Sequence, residues 1–472
     1  MVQTVVILGA GNGSRISGWK GEVPKPLIPL CGMPMIERSI RSAKRAGFKN
    51  FVIVTGFRGD EIQAHLGSGT NFGVEIQYVS NPDWKKANGI SLLKAEPFIL
   101  EDDFALLMAD HVVDPGTFEK LFNLTLRNDE LVLMTDPRIN QVFDLGDATK
   151  VKLSGQAIVD IGKTLKEYHA IDTGVFLCST KIFKILHALE SEKGDASLSD
   201  AVREIAKSGK ARSENIGSGW WQDVDTAKAY RHAEKMLLKS LRKPTDVFVS
   251  RCFNRPISLW ITKYMARTSI RPDVVSFFSI AAGMLSPLFL IQGEYWGFVL
   301  GTFFYHFSSV LDGCDGELAR IKMIESHRGE WVDTIADVIS HFLFVIGLSV
   351  GLYAQTGSPG VFTTGVLAIF GMTSLLYMMF QYLVKVANKG TLIAFERDYT
   401  QSVAHERDLV TTLVKLLKPL FRRATFAFLF FVLAVLGKIE WVFFLIAIGA
   451  NAASVMVYMT FKRKLRAVAI RT

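Results

Sequence analysis

Short apolar runs alternate with amphipathic segments through the first half of the chain. Residues 5–8, 51–55 and 104–108 have the pattern of buried strands, and residues 34–46 have that of an amphipathic helix. Strands separated by helices indicate a parallel or mixed sheet covered by helices on both faces. The pattern therefore predicts an α/β domain with a Rossmann-like mixed sheet.

Long apolar segments separated by short polar gaps fill the second half of the chain. A helix needs about 20 mostly apolar residues to cross a bilayer, and the fifth segment has the shortest apolar core. We expect an all-α domain of six transmembrane helices, near residues 274–292, 296–316, 332–353, 361–386, 424–437 and 441–461.

Lysine and arginine are distributed unevenly among the loops of these segments. The loops near 292–296 and 353–361 contain neither, and the loop near 437–440 contains only Lys438. By the positive-inside rule, the basic loops face the cytoplasm. We therefore expect a multi-pass protein of the cell membrane, with the α/β domain and both termini in the cytoplasm. The basic residues on that side include Arg320, Lys385, Lys389, Arg397, Arg407, Lys415, Lys418, Arg422 and Arg423.

Residues 241–273 lie between the two halves and mix basic residues with Phe, Trp, Ile and Leu. This composition is typical of an amphipathic helix at a membrane surface. An ordinary linker helix packed on protein is the alternative. The predicted divisions are a cytosolic domain at 1–240, an interfacial segment at 241–273 and a membrane domain at 274–472.

The composition agrees with a chain that meets lipid, because 49% of its residues are hydrophobic and its formal net charge is +9. In a membrane protein, positive charge usually reflects loops that face anionic lipid. No nucleic-acid-binding motif is present in the sequence, so we expect no nucleic-acid partner. The four cysteines lack the spacing of a metal or disulfide site.

The first predicted strand opens into LGAGNGSRI at residues 8–16, and PKPL follows from residue 24. Glycines let a backbone approach a phosphate with its N–H groups pointing inward. The spacing is not that of the dinucleotide motif, and the Gly-Lys-Ser/Thr of a P-loop is missing. Arg15 and Lys25 add two cations, which suits a triphosphate attacked at its α-phosphate.

These two stretches resemble the signature of the sugar-phosphate nucleotidyltransferases, over about residues 1–235. The resemblance implies that the glycine-rich loop holds the nucleotide and that Arg15 and Lys25 stabilise the transition state. Residues 88–90 resemble the family loop near the nucleobase or ribose. The implied nucleotide contacts are Gly9, Ala10, Gly11, Gly13, Ser14, Arg15, Lys25, Asn88 and Gly89.

The same resemblance implies a divalent metal ion in this domain. Asp110 closes a predicted strand where the family has its first Mg²⁺ ligand, and Asp223 and Asp225 lie in a late acidic element. We favour Asp225 as the second ligand and keep Asp223 as the alternative, since either carboxylate could cap a helix instead. Carboxylates, phosphates and water commonly complete a Mg²⁺ shell, and Mn²⁺ is the alternative ion.

Residues 160–176 resemble the family region that recognises the sugar phosphate. Lys163 is the candidate for the phosphate. Asp172 and Thr173 are candidates for substrate hydroxyls, because a carboxylate accepts hydrogen bonds from a polyol. Ordinary surface-loop chemistry is the alternative for these residues and for the 88–90 segment.

Four aspartates lie in or beside the second and third apolar segments. Asp312 and Asp315 are three positions apart, and Asp333 and Asp337 are four apart, so each pair lies on one face of a helix. Such carboxylates face the bundle interior or an aqueous cavity, and all-oxygen ligation suits Mg²⁺, Mn²⁺ or Ca²⁺ rather than zinc. We expect a metal site and not buried salt bridges, because few cations lie near in sequence.

This spacing resembles the signature of the CDP-alcohol phosphatidyltransferase family, over about residues 245–465. The resemblance implies two metal ions that hold the diphosphate of a CDP-linked donor. The first three aspartates would be mainly ligands, and Asp337, also near the metal, would be the general base. Arg320 would contact a phosphate, with snorkelling at the membrane surface as the alternative. The signature residues are Asp312, Asp315, Gly316, Ala319, Arg320, Gly329, Asp333 and Asp337.

The approach to the first span also resembles this family, and it implies that Asn254 and Ser276 contribute to the nucleotide pocket. The family often has Asn and Thr where this chain has Asp273 and Ser276. Membrane domains of the family resemble homodimers, so we expect a homodimer through this domain, with Mg²⁺ or Mn²⁺ at its site.

One half would make a CDP-linked donor and the other would consume it. Such a fusion resembles the bifunctional enzymes that make CDP-inositol from CTP and inositol-1-phosphate, then transfer inositol phosphate to a second inositol-1-phosphate. The implied product is di-myo-inositol phosphate phosphate. Two alternatives stay open: a phospholipid headgroup synthase with a separate sugar nucleotidyltransferase, and a nucleotide-sensing module on a membrane scaffold. The acceptor alcohol rests on the resemblance alone.

Overall fold

The computed structural model describes residues 2–16, 23–127, 129–243, 246–325, 327–382 and 422–469, with backbone alone at 327–334, 381–382, 456 and 459–469. The chain forms two compact units, Met1–Ser240 and Leu241–Thr472. The end of the fourth predicted span and the basic positions from Lys385 to Lys418 lie outside the described residues.

The first unit is built around a nine-stranded sheet. Two further sheets have two strands each. The strands of all three sheets are β1 (Thr4–Gly9), β2 (Pro29–Leu30), β3 (Met33–Pro34), β4 (Asn50–Thr55), β5 (Glu75–Ser80), β6 (Asp103–Met108), β7 (His111–Val113), β8 (Leu131–Asp136), β9 (Lys150–Ser154), β10 (Ala157–Gly162), β11 (Ala170–Ser179), β12 (Ala211–Asn215) and β13 (Trp221–Asp223). The main sheet has the order β5-β4-β1-β6-β11-β8-β12-β10-β9. Both neighbours of β1 are parallel to it, whereas β11 is antiparallel to β6 and β8, so the sheet is mixed as predicted.

Helices cover both faces of this sheet. Val5 and Ile7 of β1 pack in one hydrophobic cluster, and Val6 and Leu8 pack in the other. An apolar strand without polar alternation is expected where both faces are buried. The α/β prediction is therefore confirmed. The helices of this unit are α1 (Met35–Ala46), α2 (Gly59–Leu66), α3 (Asn88–Leu93), α4 (Pro115–Phe122), α5 (Lys181–Lys193), α6 (Leu198–Lys207) and α7 (Ala227–Ser240).

Two strand pairings bring distant acidic segments together. Strands β1 and β6 end side by side, and the N–H of Ala109 donates to the carbonyl of Leu8 at 3.1 Å. Strand β7 then pairs with β13, with His111 directly opposite Asp223. The glycine-rich turn, the segment after β6 and the late acidic element therefore meet at one edge of the sheet.

The described part of the second unit is helical. By length and composition, Pro272–Leu290, Ile335–Thr356 and Pro359–Phe380 can cross a membrane, and Arg423–Val435 and Ile439–Val455 are shorter apolar helices. The all-α prediction is confirmed, and the number of six spans stays a prediction. The helices are α8 (Arg255–Met265), α9 (Pro272–Leu290), α10 (Tyr295–Ile321), α11 (His327–Thr356), α12 (Pro359–Tyr382), α13 (Arg423–Val435) and α14 (Ile439–Ala469).

A buried polar network around Glu317 joins α8 to α10. Its carboxylate is fully buried and accepts hydrogen bonds from Arg255 at 2.6 Å, Ser258 at 2.7 Å and Thr262 at 2.8 Å. Arg255 also donates two bonds of 2.9 Å to Asp246. A buried carboxylate is tolerated only when its charge and lone pairs are satisfied. The network therefore fixes α8 against the helix that carries the first aspartate pair.

Glu317→Gln is expected to lower the free energy of unfolding by about 1–3 kcal/mol, because the amide loses the charge-assisted bonds from Arg255. Thermal unfolding of the full chain in detergent measures the change. Glu294→Gln is the matched control at the exposed start of the same helix, and it should unfold like the wild type. An unchanged unfolding temperature in Glu317→Gln would contradict the role of the network.

Candidate active sites

The glycine-rich turn after β1 packs around the side chain of Lys25. Gly13 has a φ of +58°, and a Cβ there would lie 2.7 Å from the Cβ of Lys25. Any other residue would therefore have both an unfavourable backbone conformation and a steric clash with Lys25. A Cβ at Gly11 would meet nothing within 4 Å, which leaves the turn open to a ligand. Ala10 is buried behind the turn. A cavity of about 240 Å³ is lined here by Gly9, Gly11, Gly13, Ser14, Arg15, Lys25, Asp110 and Asp225.

Lys25 is a buried cation surrounded by carboxylates. Its Nζ lies 2.7 Å from Asp110 Oδ2 and 3.7 Å from Asp223 Oδ1, and it also forms an ion pair with Asp225. Burial alone would lower the pKa of Lys25, but the three carboxylates outweigh this effect and hold the pKa above its ordinary value. Lys25 therefore remains charged at neutral pH.

Asp223 is shared by two groups of metal-ligand atoms. The ligand atoms of Asp110, His111 and Asp223 all lie within 4.8 Å of one another, as do those of Asp147, Asp223 and Asp225. Burial, with Asp110 adding to it, raises the pKa of Asp223 to about 6. Among the described residues, Asp223 Oδ1 is buried without a hydrogen-bond donor. A divalent ion fits this set, because it would supply the missing partner.

Asp147 connects two of the predicted phosphate-binding cations. Its carboxylate forms an ion pair with Arg15 and accepts a bond of 2.7 Å from Lys163 Nζ. Arg15 pairs with Asp225 as well. The side chains of Arg15 and Lys163 are 54% and 55% exposed, so both can turn to a bound anion. Asp147 belongs to neither motif, and only the fold brings it here.

His111 is a second site residue that the motifs do not reveal, although it directly follows Asp110. Its Nδ1 lies 2.7 Å from the carbonyl oxygen of Thr173. Its Nε2 lies 3.8 Å from Asp110 Oδ1 and 3.8 Å from Asp223 Oδ2. Burial alone would lower the pKa of His111, but Asp223 and Asp110 raise it above its ordinary value. The ring therefore faces the same carboxylates as a metal ion would.

A larger cavity of about 530 Å³ shares Asp110 and Asp225 with the small one. Two ligands bound in the two cavities would therefore meet at these carboxylates. The polar residues that line the larger cavity include Asn88, His111, Asp147, Lys163, Asp172 and His232.

Three predicted contacts lie in the larger cavity. Lys163 and Asp172 line it, and burial raises the pKa of Asp172. Asn88 lines it too, while its Oδ1 accepts a bond of 2.9 Å from the N–H of Leu198. Asn88 thus lies with the predicted sugar-phosphate residues and is not among the residues lining the glycine-turn cavity.

Two predicted contacts are not brought to either cavity. Thr173 is fully buried, and its hydroxyl donates to the carbonyl of Met134 at 2.7 Å, within the sheet. Gly89 is buried in α3, where a Cβ would lie 2.5 Å from the carbonyl oxygen of Ala196. Neither Thr173 nor Gly89 is among the residues that line the two cavities, and their contacts with a substrate hydroxyl and with the nucleotide stay predictions.

In the second unit, Asp312 and Asp315 lie near the end of α10, and Asp337 lies in α11. Asp315 is only 4% exposed and accepts a hydrogen bond of 2.7 Å from Ser276 of α9. Ser276, which the sequence placed in the nucleotide pocket, therefore contacts a signature aspartate. Gly329 and the side chain of Asp333 fall at positions where only the backbone is described.

Arg423 at the start of α13 contacts both aspartate-bearing helices. It forms an ion pair with Asp337, lies 3.8 Å from Asp312 Oδ1 and donates to Ser308 Oγ at 2.7 Å. Its side chain is 13% exposed. Few cations lie near these aspartates in sequence, and the fold supplies one from a distant helix. Arg423 therefore lies at the candidate site, although the sequence placed it only among the loop charges.

The remaining predicted residues of this unit lie around the end of α10. Arg320 Nη2 donates to the carbonyl of Leu241 at 3.4 Å, and a Cβ at Gly316 would lie 3.3 Å from Arg320 Nη1. Ala319 is half-buried and Asn254 is buried. Within the described part of the chain, Asn254 Oδ1 and Arg320 Nε are buried without hydrogen-bond partners, so each can still bind a polar group.

Two family models match this chain. Residues 4–240 match the family described as nucleotidyl transferase, and residues 269–395 match the CDP-alcohol phosphatidyltransferase family. The first match contains the glycine turn, Lys25 and Asp110, and the second contains the aspartate signature. The two candidate sites thus lie in two different enzyme domains.

Curated relatives match this chain across parts of both units. A protein of Thermococcus kodakarensis named bifunctional IPC transferase and DIPP synthase is 35% identical, over 79% of this chain and 81% of that protein. A protein of Aquifex aeolicus with the same name is 30% identical, over 98% of this chain and 99% of that protein. A solved structure, the inositol-1-phosphate CTP transferase from T. maritima, is 24% identical over 50% of this chain and 96% of its own, with a TM-score of 0.44.

Proposed function

This chain belongs to the family of the bifunctional IPC transferases and DIPP synthases, and on that premise we propose that it catalyses two consecutive reactions. In the first, the phosphate of inositol-1-phosphate attacks the α-phosphorus of CTP, giving CDP-inositol and pyrophosphate. In the second, a hydroxyl of another inositol-1-phosphate attacks the inositol-bearing phosphorus of CDP-inositol. The products of that step are di-myo-inositol phosphate phosphate and CMP.

One observation carries the first reaction: two cavities of different size share Asp110 and Asp225. The glycine turn of the small cavity would hold the triphosphate of CTP, and the large cavity would hold inositol-1-phosphate. The reacting phosphate groups would then meet where Lys25 lies. Lys25 and Arg15 would stabilise the negative charge that develops on the α-phosphate and on pyrophosphate.

Carboxylates at this junction would hold a divalent ion, Mg²⁺ or Mn²⁺, with Asp110 and Asp225 as ligands and Asp223 as the alternative to Asp225. The bound ion would offset part of the triphosphate charge. Lys163 would bind the phosphate of inositol-1-phosphate after leaving Asp147. Asp172 would accept hydrogen bonds from ring hydroxyls, since its carboxylate lines the cavity.

The second reaction would take place at the aspartates of the second unit. Asp312, Asp315 and Asp333 would hold divalent ions, again Mg²⁺ or Mn²⁺, which would stabilise charge on the donor diphosphate. Asp337 would accept the proton of the attacking hydroxyl. Ser276 supports the position of Asp315 through its hydrogen bond. Arg320 and Asn254 are the proposed contacts of the nucleotide part, beside Gly316, Ala319 and Gly329. Arg320 Nε and Asn254 Oδ1 are buried and have no hydrogen-bond partner among the described residues.

We further propose that the C-terminal domain, which is associated with the membrane, crosses it six times, with both termini and the first unit in the cytoplasm. The proposed divisions are 1–240, 241–273 and 274–472. Helix α8 supports an interfacial position for the middle segment, because its buried face is mostly polar while Trp260 and Tyr264 are 63% and 53% exposed. We also propose a homodimer through the membrane domain.

Mass spectrometry of the products tests the two reactions together. The purified full chain is incubated with Mg²⁺, CTP and inositol-1-phosphate. We expect pyrophosphate and CDP-inositol first, then CMP and a water-soluble diester. A failure to form CDP-inositol would refute the first reaction. Product that extracts into organic solvent when lipid acceptors are present would favour a phospholipid synthase for the second.

Arg423→Gln is expected to destabilise the metal-free chain by about 1–3 kcal/mol, because Asp337 loses a hydrogen-bonded cation and Asp312 loses a nearby one. A divalent ion at these aspartates would replace the lost charge, so Mg²⁺ should raise the unfolding temperature more in this variant than in the wild type. Thermal unfolding in detergent with and without Mg²⁺ measures the difference. Arg422→Gln is the matched control for charge loss, and an equal response in both variants would contradict the prediction.

A further inference from the structure

We propose that His111 binds the divalent ion of the first unit through its Nε2, so that this site combines an imidazole nitrogen with carboxylate oxygens. The inference rests on the proposed function, because it concerns the metal ion of the cytidylyl transfer. It adds a ligand of a different chemical type to Asp110 and to Asp223, the alternative to Asp225, because the ligand atoms of His111 group with those two carboxylates.

The backbone places His111 where such a ligand must be. Strand β7 pairs with β13 so that His111 lies directly opposite Asp223, and Asp110 is the preceding residue. These pairings bring the ligand atoms of all three within 4.8 Å of one another. Three protein ligands on one ion form a preformed site, whereas two carboxylates alone depend more on the nucleotide to complete the shell.

The imidazole ring has little freedom to turn. Its Nδ1 lies 2.7 Å from the carbonyl oxygen of Thr173, and the ring stacks on Trp221 with centroids 5.8 Å apart. Gly174 has a φ of +73°, and a Cβ there would lie only 2.4 Å from Nδ1, so the glycine makes room for the ring. The ring is therefore held in one orientation from three sides.

That orientation determines which nitrogen can bind a metal ion. A carbonyl oxygen only accepts hydrogen bonds, so Nδ1 carries the proton and the lone pair of the neutral ring is on Nε2. Metal-binding histidines almost always donate their other ring N–H in this way, often to a backbone carbonyl. Here Nε2 points toward Asp110 Oδ1 and Asp223 Oδ2.

The distances favour an ion between these groups over a direct contact. Nε2 is 3.8 Å from each carboxylate oxygen, beyond the range of a hydrogen bond. Two ligands that each lie roughly 2.0–2.2 Å from one ion are separated by about 3–4 Å. An imidazolium bonded directly to the two aspartates is the competing arrangement.

A nitrogen ligand changes the preferred metal. Mg²⁺ favours oxygen ligands, whereas imidazole suits transition metals, which also bind mixed sites more tightly. The first unit should therefore prefer Mn²⁺ over Mg²⁺. The aspartates of the second unit form an oxygen site, so the two units of one chain should differ in metal preference.

Electron spin-echo spectroscopy of bound Mn²⁺ tests the ligand directly. The full chain, in an Asp312→Asn and Asp315→Asn background that weakens the membrane site, is loaded with Mn²⁺ without nucleotide. Histidine labelled with ¹⁵N identifies the source of any nitrogen coupling and requires no change at His111. We expect a histidine coupling, which His111→Asn removes. Asparagine keeps an amide near the position of Nδ1 but leaves nothing at that of Nε2.

His187→Asn is the matched control, because this exposed histidine pairs with Glu96 on the surface; the coupling should persist in it. Losing an outer-shell partner already weakens metal binding by about 10–100-fold, so His111→Asn should weaken Mn²⁺ binding by at least about tenfold. Mn²⁺ bound without histidine coupling, coupling that survives His111→Asn, or no Mn²⁺ binding without nucleotide would each overturn the proposal. Pyrophosphate release from CTP is assayed separately, so normal release without the coupling refutes His111 alone, whereas absent release refutes the proposed function.

Discussion

Asp337→Asn is expected to stop the second reaction while leaving the first intact. Removing a general base commonly lowers a rate by about 10²–10⁴-fold, because asparagine cannot accept the proton of the attacking hydroxyl. Given CTP, inositol-1-phosphate and Mg²⁺, the variant should release pyrophosphate at the wild-type rate and accumulate CDP-inositol. Chromatography with mass spectrometry follows CDP-inositol and the diester in the same reaction.

The Arg423 ion pair requires a control for this result, because asparagine also removes a charge partner of that arginine. Asp312→Asn is the matched comparison, since Asp312 faces Arg423 at 3.8 Å and is a proposed ligand. Equal Mn²⁺ affinity in Asp337→Asn and the wild type would identify a base, whereas weakened affinity in both variants would identify a ligand. Diester formation at the wild-type rate would contradict any catalytic role of Asp337.

The fold was largely accessible from local patterns. The apolar runs at 5–8, 51–55 and 104–108 are strands β1, β4 and β6, and the amphipathic stretch 34–46 is α1 with its approach. The three strands are mostly apolar because both sheet faces are covered, and the helix has a regular apolar face, so a short window suffices to detect each of them. The number of membrane spans is harder to predict from local patterns. Helix α10, for example, begins with apolar residues but ends with the charged residues Asp312, Asp315, Glu317 and Arg320.

The sequence predicted only those site residues that belong to a recognisable motif. The glycine turn, Lys25 and Asp110 meet as expected, because β1 and β6 are neighbours. The sequence did not predict Asp147 or Arg423 as site residues. Only the fold brings Asp147 to Arg15, and only the fold brings Arg423 to Asp337. No local spacing encodes such contacts.

The choice between Asp223 and Asp225 shows the same limit. Both follow Trp221 within a few residues, and the sequence offers no reason to separate them. The pairing of β13 with β7 places Asp223 opposite His111, while Asp225 forms ion pairs with Lys25 and Arg15. The structure thus places the two aspartates in different environments, Asp223 beside a histidine and Asp225 beside two cations.

Lys25→Met is expected to lower cytidylyl transfer by about 10²–10³-fold, the loss typical of removing one preorganised group that stabilises transition-state charge. Methionine keeps the apolar stem that packs on Gly13 but lacks the cation that contacts Asp110 and Asp225. Pyrophosphate release from CTP and inositol-1-phosphate measures the effect. Lys207→Met, a 71% exposed position on α6, is the control for loss of a lysine and should react like the wild type.

A catalytic role for Lys25 and a purely structural role predict different effects of Lys25→Met on Mn²⁺ binding. If Lys25 acts on the reacting phosphates, Mn²⁺ should bind the variant at least as tightly as the wild type, because a cation that competes for the carboxylates is gone. CDP-inositol supplied from outside should still be converted by the second unit. Normal turnover of CTP in Lys25→Met would assign the residue to packing of the glycine turn. Lost turnover together with weakened Mn²⁺ binding would show instead that the carboxylates need Lys25 to hold their arrangement.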